Sequence, residues 1–266
     1  SIAVCPKHYE KAVTDKFDLV FSWNDDIVDN KRIIKYNVPV IGDLVKDLGD
    51  FEERKEFILI NANKYSFYDT EQYSFRREII NFFEDNEIAL DLYGPFWQKN
   101  YYLNPRKLLG FFCKGLIDAL EKRRISKIRN LIPHFKSLNK ERKCYLGITQ
   151  DKYGTLSKYK YCICFENDTT PGDVTEKIFD CFFCGTIPIY FGASNIETLI
   201  PKETFIDMRD FNGFSQLFEY ISFLSEEDAR SIREAGMNYI ESTAFYNNWR
   251  PEMVYKRIAE ELDKKI

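Results

Sequence analysis

The chain has 266 residues, 44% of them hydrophobic and 16% aromatic, enough to bury one large core or two modest ones. A formal charge of −4 and a pI near 5.5 argue against nucleic acid as the main partner, because backbone binding needs a basic surface. No run of eighteen apolar residues occurs, so no segment is expected to span a membrane as a helix, and Ser1 opens no signal-peptide pattern.

In chain order, residues 17–23 and 32–40 are expected to be strands around the polar Asn24-Asp25-Asp26 turn, and 42–55 a charged connection. Residues 57–60 then open a strand-and-helix series. It continues with a helix over 69–84, a strand over 88–93 and a helix over 106–122. The most informative stretch is 159–191. Tyr161 to Phe165 is short, aromatic and apolar, suits a buried strand, and ends abruptly in Glu166-Asn167-Asp168. Beyond a polar loop holding Pro171 and Gly172, Thr175 is placed to cap a helix whose apolar positions Ile178, Phe179, Phe182 and Phe183 recur at three- and four-residue steps. Gly185 stops that helix, and 186–191 returns as a strand. Helices follow over 214–223, 226–242 and 251–264.

Alternating strands and helices imply an α/β fold with a doubly wound sheet, whose ligands sit beyond the carboxyl ends of the strands. The loop from Glu166 to Lys177 would lie there. Free backbone amides, the positive end of the helix macrodipole and the Lys177 ammonium together suit a phosphate.

Other residues carry less chemistry. Seven cysteines form no secreted-style framework, and Cys181-x-x-Cys184 lies inside an apolar helix without a second ligand pair, so buried thiols are expected. His8 and His134 make no ligand cluster, and no metal is implied. The sequon Asn167-Asp168-Thr169 falls in the expected ligand loop, where a glycan would block the site; this favours a reducing, non-glycosylating compartment, a bacterial or viral cytoplasm. The basic run at 122–129, KRRISKIR, is read as a solvated helix end, with peripheral contact to an anionic membrane or an acidic acceptor as the alternative.

The segment Phe165-Glu166-Asn167, then Val174-Thr175-Glu176-Lys177, an apolar helix and Gly185-Thr186-Ile187-Pro188, resembles the donor-binding motif of the fucosyltransferases of glycosyltransferase family ten. Further patches at 155–160, 200–211 and Asp91-Leu92-Tyr93-Gly94 extend the likeness over about residues 51–225. The resemblance implies a GT-B architecture, two Rossmann-like domains facing across a cleft. Residues 1–50 would be a short or truncated acceptor-side domain, 51–245 the nucleotide-sugar domain, and 246–266 a helix packing back on the first. It also implies an inverting, metal-independent transfer of fucose from GDP-fucose, with no cofactor, to a hydroxyl of an acceptor glycan, α1,3 to N-acetylglucosamine or glucose. A relative using another nucleotide sugar, or a non-catalytic GDP- or glycan-binding module, stays open as an alternative. Lys177 and Arg77, with Arg76 adjoining, would neutralise the diphosphate, and Glu176 would bind ribose. Glu166, Asn167, Asp173, Val174 and Thr175 would complete the donor site, although Asp173 stands where the family commonly has tyrosine. The general base would be Glu10 or a glutamate ahead of Ser1. Asp25 and Asp26 fit a structural turn better.

Overall fold

The computed structural model describes residues 2–4, 17–121 and 126–264. They form two parallel sheets. In the smaller, β1 (Ile2–Val4), β2 (Leu19–Ser22) and β3 (Ile33–Lys35) lie side by side in that order. The larger contains β4 (Lys55–Ile60), β5 (Asp91–Tyr93), β6 (Tyr145–Gly147), β7 (Tyr159–Phe165), β8 (Ile187–Phe191) and β9 (Ile206–Asp207). Their spatial order is β6-β5-β4-β7-β8-β9, so the direction of winding reverses between β4 and β7. Taken by themselves these six strands follow the order 3-2-1-4-5-6 of a dinucleotide-type Rossmann sheet.

Helices cover both faces. α1 (Tyr73–Asp85) connects β4 to β5, while α2 (Pro105–Glu121) and α3 (Ser126–Leu138) fill the longer connection from β5 to β6. α4 (Lys152–Leu156) precedes β7, and α5 (Glu176–Phe183) joins β7 to β8. Alternation along the strands sorts the core into two layers. Ile58, Cys162 and Cys164 face α5 together with α7 (Glu226–Glu241) and α8 (Thr243–Trp249). Phe57, Leu59, Tyr161, Ile163 and Phe165 face α1 and α6 (Phe214–Phe223). Near-continuous apolar strands are what a sheet buried on both faces requires.

Several expected elements are shorter than their patterns: the strand over 17–23 spans Leu19–Ser22 and that over 88–93 spans Asp91–Tyr93, and two differ more. The strand expected over 32–40 ends at Lys35, because the chain leaves the small sheet and bonds elsewhere: the Val40 amide donates to the Trp249 carbonyl at 2.8 Å and the Val45 amide to Phe183 at 2.9 Å. The helix expected from residue 69 starts at Tyr73, where the Glu71 carboxylate accepts the Tyr73 and Ser74 amides at 2.7 and 3.2 Å. The final helix, α9 (Pro251–Asp263), lies against the small sheet, and Val254 and Ile258 wall a cavity of about 100 Å³ with Phe21, Ile34 and Tyr36.

Trp249 ties these parts together. It is 1% exposed, its ring centroid lies 4.8 Å from that of Phe179, and its indole N–H donates to the Tyr239 hydroxyl at 3.1 Å. Trp249→Ala is expected to lower the unfolding free energy by about 3–5 kcal/mol in urea titrations. Tyr246→Ala, at an exposed position of the same helix, should change it by less than about 0.5 kcal/mol. Equal costs for the two would refute this role for the tryptophan.

Candidate active site

The reversal between β4 and β7 brings the carboxyl ends of both strands together. In the β7–β8 ladder Phe165 pairs with Phe191, and the Glu166 amide donates to the Phe191 carbonyl at 2.7 Å, which turns the Glu166 side chain into the protein. Gly192 makes room for it. A Cβ there would stand 2.6 Å from Glu166 Cγ and 2.4 Å from the Tyr190 hydroxyl.

Glu166 is fully buried, and its carboxylate gathers the start of α5. Oε1 accepts the Thr175 amide at 2.9 Å and the Thr175 hydroxyl at 2.8 Å; Oε2 accepts Lys177 Nζ at 2.7 Å. Thr175 occupies the N-cap, yet its hydroxyl bonds Glu166 in place of a backbone amide of the helix. Burial alone would raise the Glu166 pKa, but the Lys177 ammonium and the Thr175 donors outweigh it and hold the carboxyl below its usual value. Lys177 responds in kind: burial disfavours its charge, and Glu166 followed by Glu176 keeps it protonated with a raised pKa. Its side chain is 17% exposed, so a buried anion fixes a cation whose outer side faces the surface.

The second cation is Arg76. It is 1% exposed, and its guanidinium donates to the Phe165 carbonyl through Nε at 3.1 Å, to Asn61 Oδ1 through Nη1 at 3.0 Å and to Asn167 Oδ1 through Nη2 at 3.0 Å. It therefore bridges the ends of β4 and β7. Burial lowers its pKa to about 10, with Glu166 opposing the shift, so it remains charged at neutral pH. Arg77 points elsewhere. Its Nη1 donates to the Lys64 carbonyl at 2.9 Å, and Nη2 lies 3.4 Å from His134 Nδ1, inside the cluster that α2 and α3 build. Burial and Arg77 push His134 down to about 4, so its imidazole is neutral at pH 7. The expectation that Arg77 reaches the site is corrected here: on α1 adjacent positions differ by about 100°, and the sheet side belongs to Arg76.

Two more expectations change. Glu166 is the buried counter-ion of Lys177, so no ligand reaches its carboxylate directly, and Val174 is wholly inside the core. Asn167 stays at the rim, where it accepts from Arg76, and its carbonyl accepts the Gln72 amide at 3.0 Å. Asp173 is 2% exposed, its amide donating to Thr170. Glu176 is exposed in the first turn of α5. Glu10 and His8 lie outside the described residues. Asn61, at the end of β4, was not among the expected site residues; nothing local marks it, because only the strand order brings β4 beside β7.

The small sheet reaches this loop. Asp25 Oδ1 accepts Lys35 Nζ at 2.5 Å and its Oδ2 accepts Asn195 Nδ2 at 2.8 Å, while Asn195 Oδ1 accepts the Gly172 amide at 2.8 Å. The Asp25 amide donates to the Pro171 carbonyl at 3.0 Å. Gly172, at φ +83°, is required at this approach: a Cβ would meet the Trp23 carbonyl at 2.1 Å. The 24–26 turn thus seats the 168–175 loop, in keeping with the structural role expected of Asp25.

A six-stranded sheet of this order with a cationic site at its reversal, set against a second parallel sheet, has the GT-B architecture. The chain belongs to glycosyltransferase family 10 (fucosyltransferase), whose C-terminal domain matches residues 121–253, half of the sequence. It is 40% identical over 75 residues to the alpha-(1,3)-fucosyltransferase FucT of Helicobacter pylori, a match covering 28% of this chain and 16% of that one. It is 36% identical over 72 residues to an alpha-(1,4)-fucosyltransferase of Arabidopsis thaliana, covering 27% and 18%. These matches span less than a fifth of each relative. Among solved structures, an alpha1,3-fucosyltransferase with GDP aligns over 94% of this chain and 71% of that chain, at TM-score 0.54 and 15% identity. A glycosyltransferase from Rickettsia africae aligns over 97% and 68%, at TM-score 0.55 and 11% identity. At such identities the likeness is one of fold.

The Glu166–Lys177 pair has a pH signature. Glu166 has a depressed folded pKa, so its contribution is present above the unfolded value of about 4.3 and is lost as pH falls through the folded value. Lys177 has a raised one, so its contribution is present below about 10.4 and is lost as pH rises through the folded value. Glu166→Gln should therefore cost about 3–5 kcal/mol at neutral pH, and the gap to the native chain should narrow in acid below about pH 4. Urea melts of both proteins across that range test this; a gap that widens in acid would contradict the assignment.

Proposed function

We propose that the chain carries the donor site of an inverting, metal-independent fucosyltransferase that moves fucose from GDP-fucose to a hydroxyl of an acceptor glycan, α1,3 to N-acetylglucosamine or glucose. One observation supports this above others: Lys177, held by buried Glu166, and Arg76, held by Asn61 and Asn167, converge on the strand ends where the sheet reverses. Two fixed cations there suit a diphosphate whose charge rises as the sugar leaves. The fucosyl carbon–oxygen bond breaks with its electron pair going to the β-phosphate, while the acceptor hydroxyl attacks the opposite face and gives its proton to a carboxylate. Glu10 is the proposed base, and Glu176 the ribose contact. Six described cysteines are free thiols and Asn167 is engaged by Arg76, which supports a reducing, non-glycosylating compartment.

Calorimetric titration with GDP, UDP and ADP, repeated with EDTA and with Mn²⁺, should give selective GDP binding that neither addition alters. Lack of guanine preference would instead favour another nucleotide sugar, and GDP binding without any transfer, in a chain extended at its amino end, a non-catalytic module. Lys177→Ala should lower transfer by about 10²-fold or more. Retained transfer would remove Lys177 from the site. The two arginines separate by the same titration: Arg76→Met should weaken GDP binding by about tenfold or more, as for loss of a buried positive charge behind the site, and Arg77→Met by less than about twofold. The reverse order would restore Arg77 to the diphosphate.

A further inference from the structure

The α2 helix is apolar on two sides. One side packs inward: Phe111 is fully buried, Ala119 1% exposed, and Gly115 lets the helix press on α3, since a Cβ there would stand 2.3 Å from Leu131. The other side carries Leu109, Cys113, Leu116 and Ile117, at helical steps of four, three and one, and all are exposed, Leu109 by 67% and Ile117 by 53%. A contiguous apolar stripe on the solvent side of a helix marks a contact surface. On α3, Ile132 is likewise 59% exposed.

Charge identifies the cover. Among the described side chains between residues 99 and 140, Lys99 pairs with Glu141 and Lys140 with Glu84, which leaves Arg106, Lys107, Lys114 and Lys136 beside Asp118, in a chain of net charge −4. Arg106 and Lys114 on α2 and Lys136 on α3 are exposed. Two copies of a face flanked by Arg106, Lys114 and Lys136 would bring like charges together. An apolar stripe bordered by basic side chains matches the boundary of an anionic bilayer, with the aliphatic groups at the acyl level and the cations among the headgroups. Among the described residues no helix is long and apolar enough to cross a membrane, so the contact would be in the plane of the surface.

We infer that the exposed face of α2 docks on an anionic lipid surface. The test is flotation of the full chain with phosphatidylcholine vesicles and with vesicles that also contain phosphatidylglycerol, at low and high salt, together with lipid-free sedimentation velocity. Flotation with the anionic vesicles alone, reversed by salt, is expected. Arg106→Ala/Lys114→Ala should reduce partitioning by roughly 25-fold, about fivefold for each charge removed. Leu109→Ser/Ile117→Ser should abolish flotation with the circular dichroism melt unchanged, and Tyr255→Ser, exposed on α9, should float like the parent. The proposal is overturned by absence of flotation with anionic vesicles, by a serine pair that floats normally, or by a lipid-free dimer that the serine pair dissociates, which would make this face an interface between copies.

Discussion

The buried Glu166–Lys177 pair is the constraint around which the larger sheet and its helices are arranged. Taking a carboxylate wholly out of water costs several kcal/mol, and the cost is offset only where donors converge with good geometry. Here the Thr175 amide, the Thr175 hydroxyl and the Lys177 ammonium all converge on it. Each depends on a different part of the fold: the β7–β8 register that turns Glu166 inward, the α5 start that aligns Thr175 with Lys177, and a glycine at 192 that leaves space. Moving any of them strands a charge. The pair thus links sheet register to the placement of a cation at the surface.

The surroundings make that placement rigid. Arg76 is fixed by acceptors on β4 and after β7, so the two strands at the reversal cannot separate without exposing its charge. Beneath, Cys162, Cys164 and Cys181 pack as small thiols between sheet and helix, Cys181 Sγ donating to the Lys177 carbonyl at 3.3 Å. Burial raises the Cys164 pKa, and hydrogen bonding with Cys162 and Cys164, followed by burial, raises that of Cys181, which suits packing and not nucleophilic chemistry. From the far side the Asp25–Asn195–Gly172 bonds hold the 168–175 loop against the small sheet.

Much of this was legible in the chain itself. The strand, helix, strand unit at 159–191 announced itself through local signals: an apolar run cut off by Glu166, helical spacing from Ile178, and Gly185, which adopts φ +54° at the stop. Positions were legible where side-chain type and spacing sufficed, as for Lys177 in the first turn of α5. They were not where direction mattered. Arg76 and Arg77 are neighbours of identical chemistry, and both sides of α1 are buried, one by the sheet and the other by α3, so hydrophobic spacing could not distinguish them. Glu166 reads as a polar loop residue, and only the Phe191 carbonyl on the neighbouring strand turns it inward.

The sequence by itself determined the α/β class, the family likeness and the lysine at the helix mouth, because these rest on periodicity, turn residues and residue types that act within a few positions of each other. Tertiary structure alone decided that Arg76 bridges the ends of β4 and β7, that Glu166 is a buried counter-ion, that Asn61 joins from the end of β4 and that α2 shows an apolar face outward. Each of those facts is a relation between segments tens of residues apart, set by strand order and helix packing, and no local pattern encodes it.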